Sequence, residues 1–136
     1  MTNRQFIESR HRLSKPLAAL LQPSFSFDVA SVPIIPDYIR GGYEWLSDGK
    51  AVYVAGRHLR VVSTVSFLRG VAHELEHVRQ ARELGLRWYL RIAGDVVRSL
   101  IRARRWYVHD LSKNEQEANA KEWAVWKRLE PTYETW

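Results

Sequence analysis

His73-Glu74-Leu75-Glu76-His77 sets two imidazoles four residues apart, with a carboxylate directly after the first. On an α-helix that spacing separates the rings by about 40° around the axis and about 6 Å along it, so both can point at one ion. Glu74 then stands close enough to work on a water at that ion. Such a constellation is the arrangement that amide hydrolysis by a metal-activated water needs. The plain alternative is a surface helix with solvated histidines and glutamates that merely favour helix.

Two histidines do not complete a catalytic metal site, which normally has three protein ligands and one open position. The chain has no cysteine, so any further ligand is histidine or carboxylate. His58 and His109 are candidates. The run Asn114-Glu115-Gln116-Glu117-Ala118-Asn119 offers a better one in Glu115, with Glu117 as the other choice. Ser112-Lys113-Asn114-Glu115 also reads as a capping box, in which Glu115 would serve the helix end and not a metal.

These residues need elements to hold them. Val65, Phe67, Leu68, Val71, Ala72, Leu75, Val78 and Ala81 recur at helical spacing, with Ser63 or Thr64 to start the helix and Gly85 to stop it. A helix over about 64–84 therefore carries the motif well inside its length. Gly70 lies one turn before His73 on the same side. Its missing side chain leaves room for the metal site, for a crossing strand or for a closely packed helix.

A further helix is expected over about 86–105, with Tyr89, Ile92, Ala93, Val96 and Leu100 on an apolar face packed on the core. Arg87, Arg91, Arg98, Arg102 and Arg105 form a basic stripe. The last helix runs from about Ser112 to Leu129, ends before Pro131, and is anchored by Trp123 and Trp126. Upstream, residues 3–21 read as one or two helices interrupted near Pro16. Residues 22–42, with Pro23, Pro33 and Pro36, read as extended or irregular. Ser47-Asp48-Gly49-Lys50 is a turn cluster. Residues 51–54 and 58–62 are β-prone runs joined by the hairpin signal Ala55-Gly56-Arg57. The expected fold is a single α+β domain over 1–136, with a small antiparallel sheet preceding a bundle of about four helices.

The two segments together resemble the gluzincin class of zinc metallopeptidases, the thermolysin-like enzymes among them. That class carries H-E-x-x-H and, further on, N-E-x-x-S/A-D. Asn114, Glu115 and Ala118 match the second pattern, and Asn119 departs from it. The strand runs at 49–54 and 58–62, and His77-Val78-Arg79-Gln80, are similar to small bacterial metallopeptidase domains, some of them toxin-associated. The likeness covers about residues 45–125. It implies a minimal zincin-like core in which Zn²⁺ is held by His73, His77 and Glu115, with Glu74 as general base and a protein or peptide as substrate. The aspartate that orients the first histidine in the class falls on Asn119, which accepts a hydrogen bond but brings no charge. The class also uses a His, Tyr or Arg for the oxyanion. Tyr107, His109 and Tyr133 are the candidates, and an edge strand within 51–62 is expected to pair with the substrate backbone. A latent version is also open, in which the C-terminal residues 130–136 block the site.

The hydrophobic fraction of 46% and six Trp argue for a folded globule. Leu17–Leu21 is too short for the apolar core of a signal peptide, and no window suits a membrane span. The expected location is cytoplasmic, or exported without a cleavable signal. The net charge is +6, and 16 of the 21 basic residues are Arg. That balance favours acidic partners, so the Arg-rich 87–105 helix is a candidate contact for nucleic acid or an anionic membrane.

Overall fold

A computed structural model of the chain describes residues 12–36, 45–55, 64–104 and 112–133. Among the described residues are four α-helices and three short strands, besides two short 3-10 turns: α1 (Lys15–Leu21), β1 (Ile34–Pro36), β2 (Trp45–Ser47), β3 (Val52–Val54), α2 (Thr64–Leu84), α3 (Leu86–Ala103) and α4 (Lys113–Tyr133). The α+β class follows the expectation from sequence. His58, Tyr107, His109, the run 58–62, and the side chains of Tyr133 and of the 130–136 segment lie outside what is described.

α2 forms where the periodicity placed it. Val65, Phe67, Leu68, Val71, Ala72, Leu75 and Val78 are all buried, because their spacing keeps them on one side of the helix. Gly85 ends it with φ 57° and ψ −130°, a backbone conformation open to glycine and closed to residues with a Cβ. Its N–H donates to the carbonyl of Ala81 at 2.8 Å. α4 lies against α2 over much of its length, and Val125 and Leu129 join the shared core. Leu13, Leu17, Leu21, Val29, Val32 and Ile34 close that core from the N-terminal side.

Several boundaries differ from the sequence reading. The break expected near Pro16 is where α1 begins, since a first-turn N–H has no helical partner to lose; residues 3–11 lie outside the described residues. α4 continues through Pro131 to Tyr133, where the proline falls in the final turn. Trp123 is half exposed and packs edge-on against Trp126, so it does not anchor the helix in the core.

The sheet is mixed, not antiparallel. Its strand order is β1-β3-β2, with β1 parallel and β2 antiparallel to β3. β1 comes from the proline-rich stretch read as extended or irregular. It is tolerated because β1 sits at an edge of this sheet, where only one side of its backbone must pair. The carbonyl of Pro33 accepts from Val52 N–H at 2.8 Å. The turn cluster at 47–50 joins β2 to β3. There the Asp48 carboxylate accepts from the N–H groups of Lys50 and Ala51, each at 2.9 Å, and Gly49 takes a φ of 86°. Of the 51–62 stretch expected to supply an edge strand, Val52–Val54 form β3, the central strand of the three, and 58–62 lies outside the described residues. Among the described residues the edge on the far side from β1 belongs to β2.

The largest departure concerns α3. Of the face expected on the core, Ile92 and Val96 are half-buried while Tyr89, Ala93 and Leu100 are exposed, and Leu86, Leu90, Val97 and Ile101 are exposed beside them. The side turned inward carries Trp88, Asp95 and Ser99. The pattern in the sequence recorded that an apolar face exists and said nothing of what it meets. No helix among the described residues is long and apolar enough to cross a membrane.

Candidate metal centre

α2 and α4 bring the chemistry together. α2 presents His73, Glu74 and His77 from consecutive turns. α4 begins at Lys113 because Ser112, fully buried, caps it: its Oγ accepts from the N–H of Glu115 at 3.3 Å. That start places Glu115 in the first turn, facing α2. One carboxylate oxygen of Glu115 lies 2.9 Å from Nε2 of His73, and the other lies 3.0 Å from Nε2 of His77. The serine half of the capping box therefore forms while the carboxylate serves the histidines. One ligand atom from each of the three residues lies within 4.8 Å of the others, so the group can hold a metal ion.

The donor set fits a small divalent cation. Ligand atoms around a tetrahedral zinc, with bonds of about 2.0–2.1 Å, stand about 3.3 Å apart. The nitrogen–oxygen separations here are a few tenths of an ångström shorter, which is the spacing of hydrogen bonds.

Both rings are held by their other nitrogen. Nδ1 of His73 lies 3.2 Å from Oε2 of Glu122. Glu122 is seven residues after Glu115, two turns along the same face of α4. Its second oxygen pairs with Arg69 at 3.2 Å, and the Arg69 guanidinium rests over the Trp126 ring. Asn119, expected to orient His73, is exposed. A helix has 3.6 residues per turn, so i+7 stays on a face more closely than i+4. The orienting group is therefore charged after all.

Nδ1 of His77 lies 3.0 Å from Oε1 of Gln80, which is 1% exposed. The indole N–H of Trp88 donates to the same Oε1 at 3.1 Å. The Gln80 amide nitrogen donates to the carbonyl of Asn114 and to Glu117, both at 3.0 Å. These partners fix which end of the amide is oxygen, so Nδ1 of His77 must carry a proton and Nε2 is the nitrogen left for an ion. Glu117, the other ligand choice, is engaged with Gln80 and Arg79 and does not meet the histidines.

Electrostatics follow from burial and pairing. Burial disfavours the His73 imidazolium, but the hydrogen bonds with Glu115 and Glu122 outweigh it and raise the ring to about 10. His77 is raised in the same way, burial again losing to Glu115. Glu115 is buried too, yet the two rings hold its carboxyl far below the usual range. Glu122 is lowered, chiefly by its bond with His73. Glu74 behaves oppositely: desolvation lifts it to about 7 against the pull of His77 and His73. Both rings thus favour their protonated form, and the carboxyl beside them is shifted toward neutrality.

Glu74 opens into a cleft of about 380 Å³ with Trp45, Ser66, Arg69, His73 and Glu122 on its walls. Trp45 reaches this place from β2 because Gly70 has no side chain; a Cβ there would overlap the indole. Of the three roles open for Gly70, a crossing strand is the one found. Glu122 and the orienting role of Gln80 escaped the sequence reading. Both had a signal in helical spacing, Glu122 at i+7 from Glu115 and Gln80 at i+3 from His77. No family model, no characterised protein and no solved structure matches this chain, so the site is read from its own geometry.

Proposed function

We propose that this chain is a zinc-dependent peptidase in which Glu74 is the general base. The observation that carries the reading is the convergence of Nε2 of His73, Nε2 of His77 and the Glu115 carboxylate, with the buried Glu74 and His73 both lining an adjoining cleft. His73, His77 and Glu115 would hold the ion, each ring turned to it by Glu122 or Gln80. Zinc is the choice because two imidazoles and one carboxylate suit it, and when bound it supplies a Lewis acid that polarises a carbonyl and eases deprotonation of water. Glu74 takes the proton of the attacking water and returns it to the leaving amine. Its raised proton affinity suits both halves of that task at neutral pH. β2, an edge strand among the described residues that carries Trp45 to the cleft wall, would align an extended peptide. The departure at Asn119 does not argue for an inactive site, since Glu122 supplies the acceptor.

Purified protein should contain about one zinc per chain by elemental analysis, as a three-ligand site requires. Glu74→Gln should keep the metal and lose hydrolysis of an unstructured protein such as casein. Undiminished hydrolysis by Glu74→Gln would remove the assigned base, and metal-free protein with full activity would remove the mechanism.

A further inference from the structure

We propose that α3 docks the protein on an anionic lipid surface, an inference that stands apart from the peptidase reading. The helix has three arcs. Trp88, Asp95 and Ser99 face the protein, with the Trp88 indole anchored on Gln80. Leu86, Tyr89, Leu90, Ala93, Val97, Leu100 and Ile101 occupy an outer arc of about 120°. Leu86 is 73%, Leu90 61% and Ile101 75% exposed. Arg87, Arg91, Arg98 and Arg102 line the arc's edge. Helix α3 has 18 residues, which gives the stripe a length of roughly 27 Å.

The border between the two outer arcs is shaped. A groove of about 490 Å³ runs there, lined by Leu90, Arg91, Asp95 and Arg98 together with Arg87 and Lys113. Gly94 lies on this border, and the space where its Cβ would be is open. Apolar side chains beside a basic groove match the order of a bilayer interface, acyl chains next to phosphate. The helix cannot cross a membrane, so this is binding in the plane of the surface.

Charge selects this occupant over others. Asp95 is the one acidic residue between 86 and 104, and it is buried. Asp95 is already paired with Arg98 at 3.2 Å, so α3 of a second copy would bring further arginines to this face and no acidic side chain of its own to meet them. Nucleic acid would reward the arginines but would leave the apolar arc wet. An anionic bilayer satisfies both arcs at once.

Co-sedimentation of the full chain with phosphatidylglycerol–phosphatidylcholine vesicles tests the proposal, with pure phosphatidylcholine vesicles as reference. Wild type should bind the anionic vesicles and partition at least about tenfold less to the neutral ones. The double variant Leu90→Glu, Ile101→Glu alters only exposed positions, and its far-UV circular dichroism should match wild type. It should lose at least about tenfold in binding, as should Arg87→Glu with Arg102→Glu. Failure of wild type to bind anionic vesicles would overturn the proposal. So would equal binding by the Leu90/Ile101 variant. A concentration-dependent dimer abolished by that variant would overturn it in favour of self-association. Duplex DNA binding that survives the variant, without vesicle binding, would overturn it in favour of nucleic acid.

Discussion

Replacing Glu122 with Gln separates the geometry of this site from the pattern in its sequence. Glu122 holds Nδ1 of His73 at 3.2 Å and is itself tied to Arg69 at 3.2 Å. The substitution keeps the shape and one acceptor oxygen and removes the charge. Loss of an orienting partner behind a metal-bound histidine typically weakens metal binding by 10–100-fold. The lower end applies here. The Glu122 side chain is 25% exposed, which screens its field, and the glutamine oxygen can still accept from the ring. About tenfold is therefore expected, or about 1.4 kcal/mol. Asn119→Ala should change affinity by less than about twofold, because Asn119 is exposed and the Nδ1 of His73 is already met. Competition against a zinc-binding dye at fixed pH measures both variants. The reasoning is refuted if Asn119→Ala weakens binding as much as Glu122→Gln, or if Glu122→Gln binds like wild type.

Two further outcomes follow. Gly70→Ala pushes a methyl into the Trp45 indole and should lower stability by about 1–3 kcal/mol in a denaturant titration, with the cleft wall disturbed. In metal-free protein His73 is raised from 6.5 to about 10, so its contribution to stability is full below 6.5 and is lost as pH rises to 10. Glu74, raised from 4.5 to about 7, adds a loss in the same direction between those values. The melting temperature of chelator-treated protein should therefore fall from pH 6.5 to 10. Saturating zinc should flatten that fall, because the ion takes the place of the protons.

Some of this molecule is local and was legible in the chain. The 64–84 helix could be read because its buried positions repeat every three to four residues and Gly85 supplies a backbone conformation that other residues resist. The pairing of His73 with His77 needs nothing beyond helical pitch, and Ser112 marks the start of α4 through its own side chain. Other features depend on how elements meet. That Glu115 and not Glu117 reaches the histidines depends on the rotation of α4 against α2. Glu122 supplants Asn119 for the same reason. β1 pairs parallel to β3 across a connection that contains β2, which no run of β-prone residues announces. Trp45 and Gly70 are 25 residues apart in sequence and meet only because β2 crosses α2. The apolar face of α3 shows the limit most plainly. Periodicity fixes that such a face exists, since it depends only on neighbours along one helix. Whether that face meets a core or the surroundings depends on which partners the rest of the chain presents, and Trp88, held by Gln80, turns it outward.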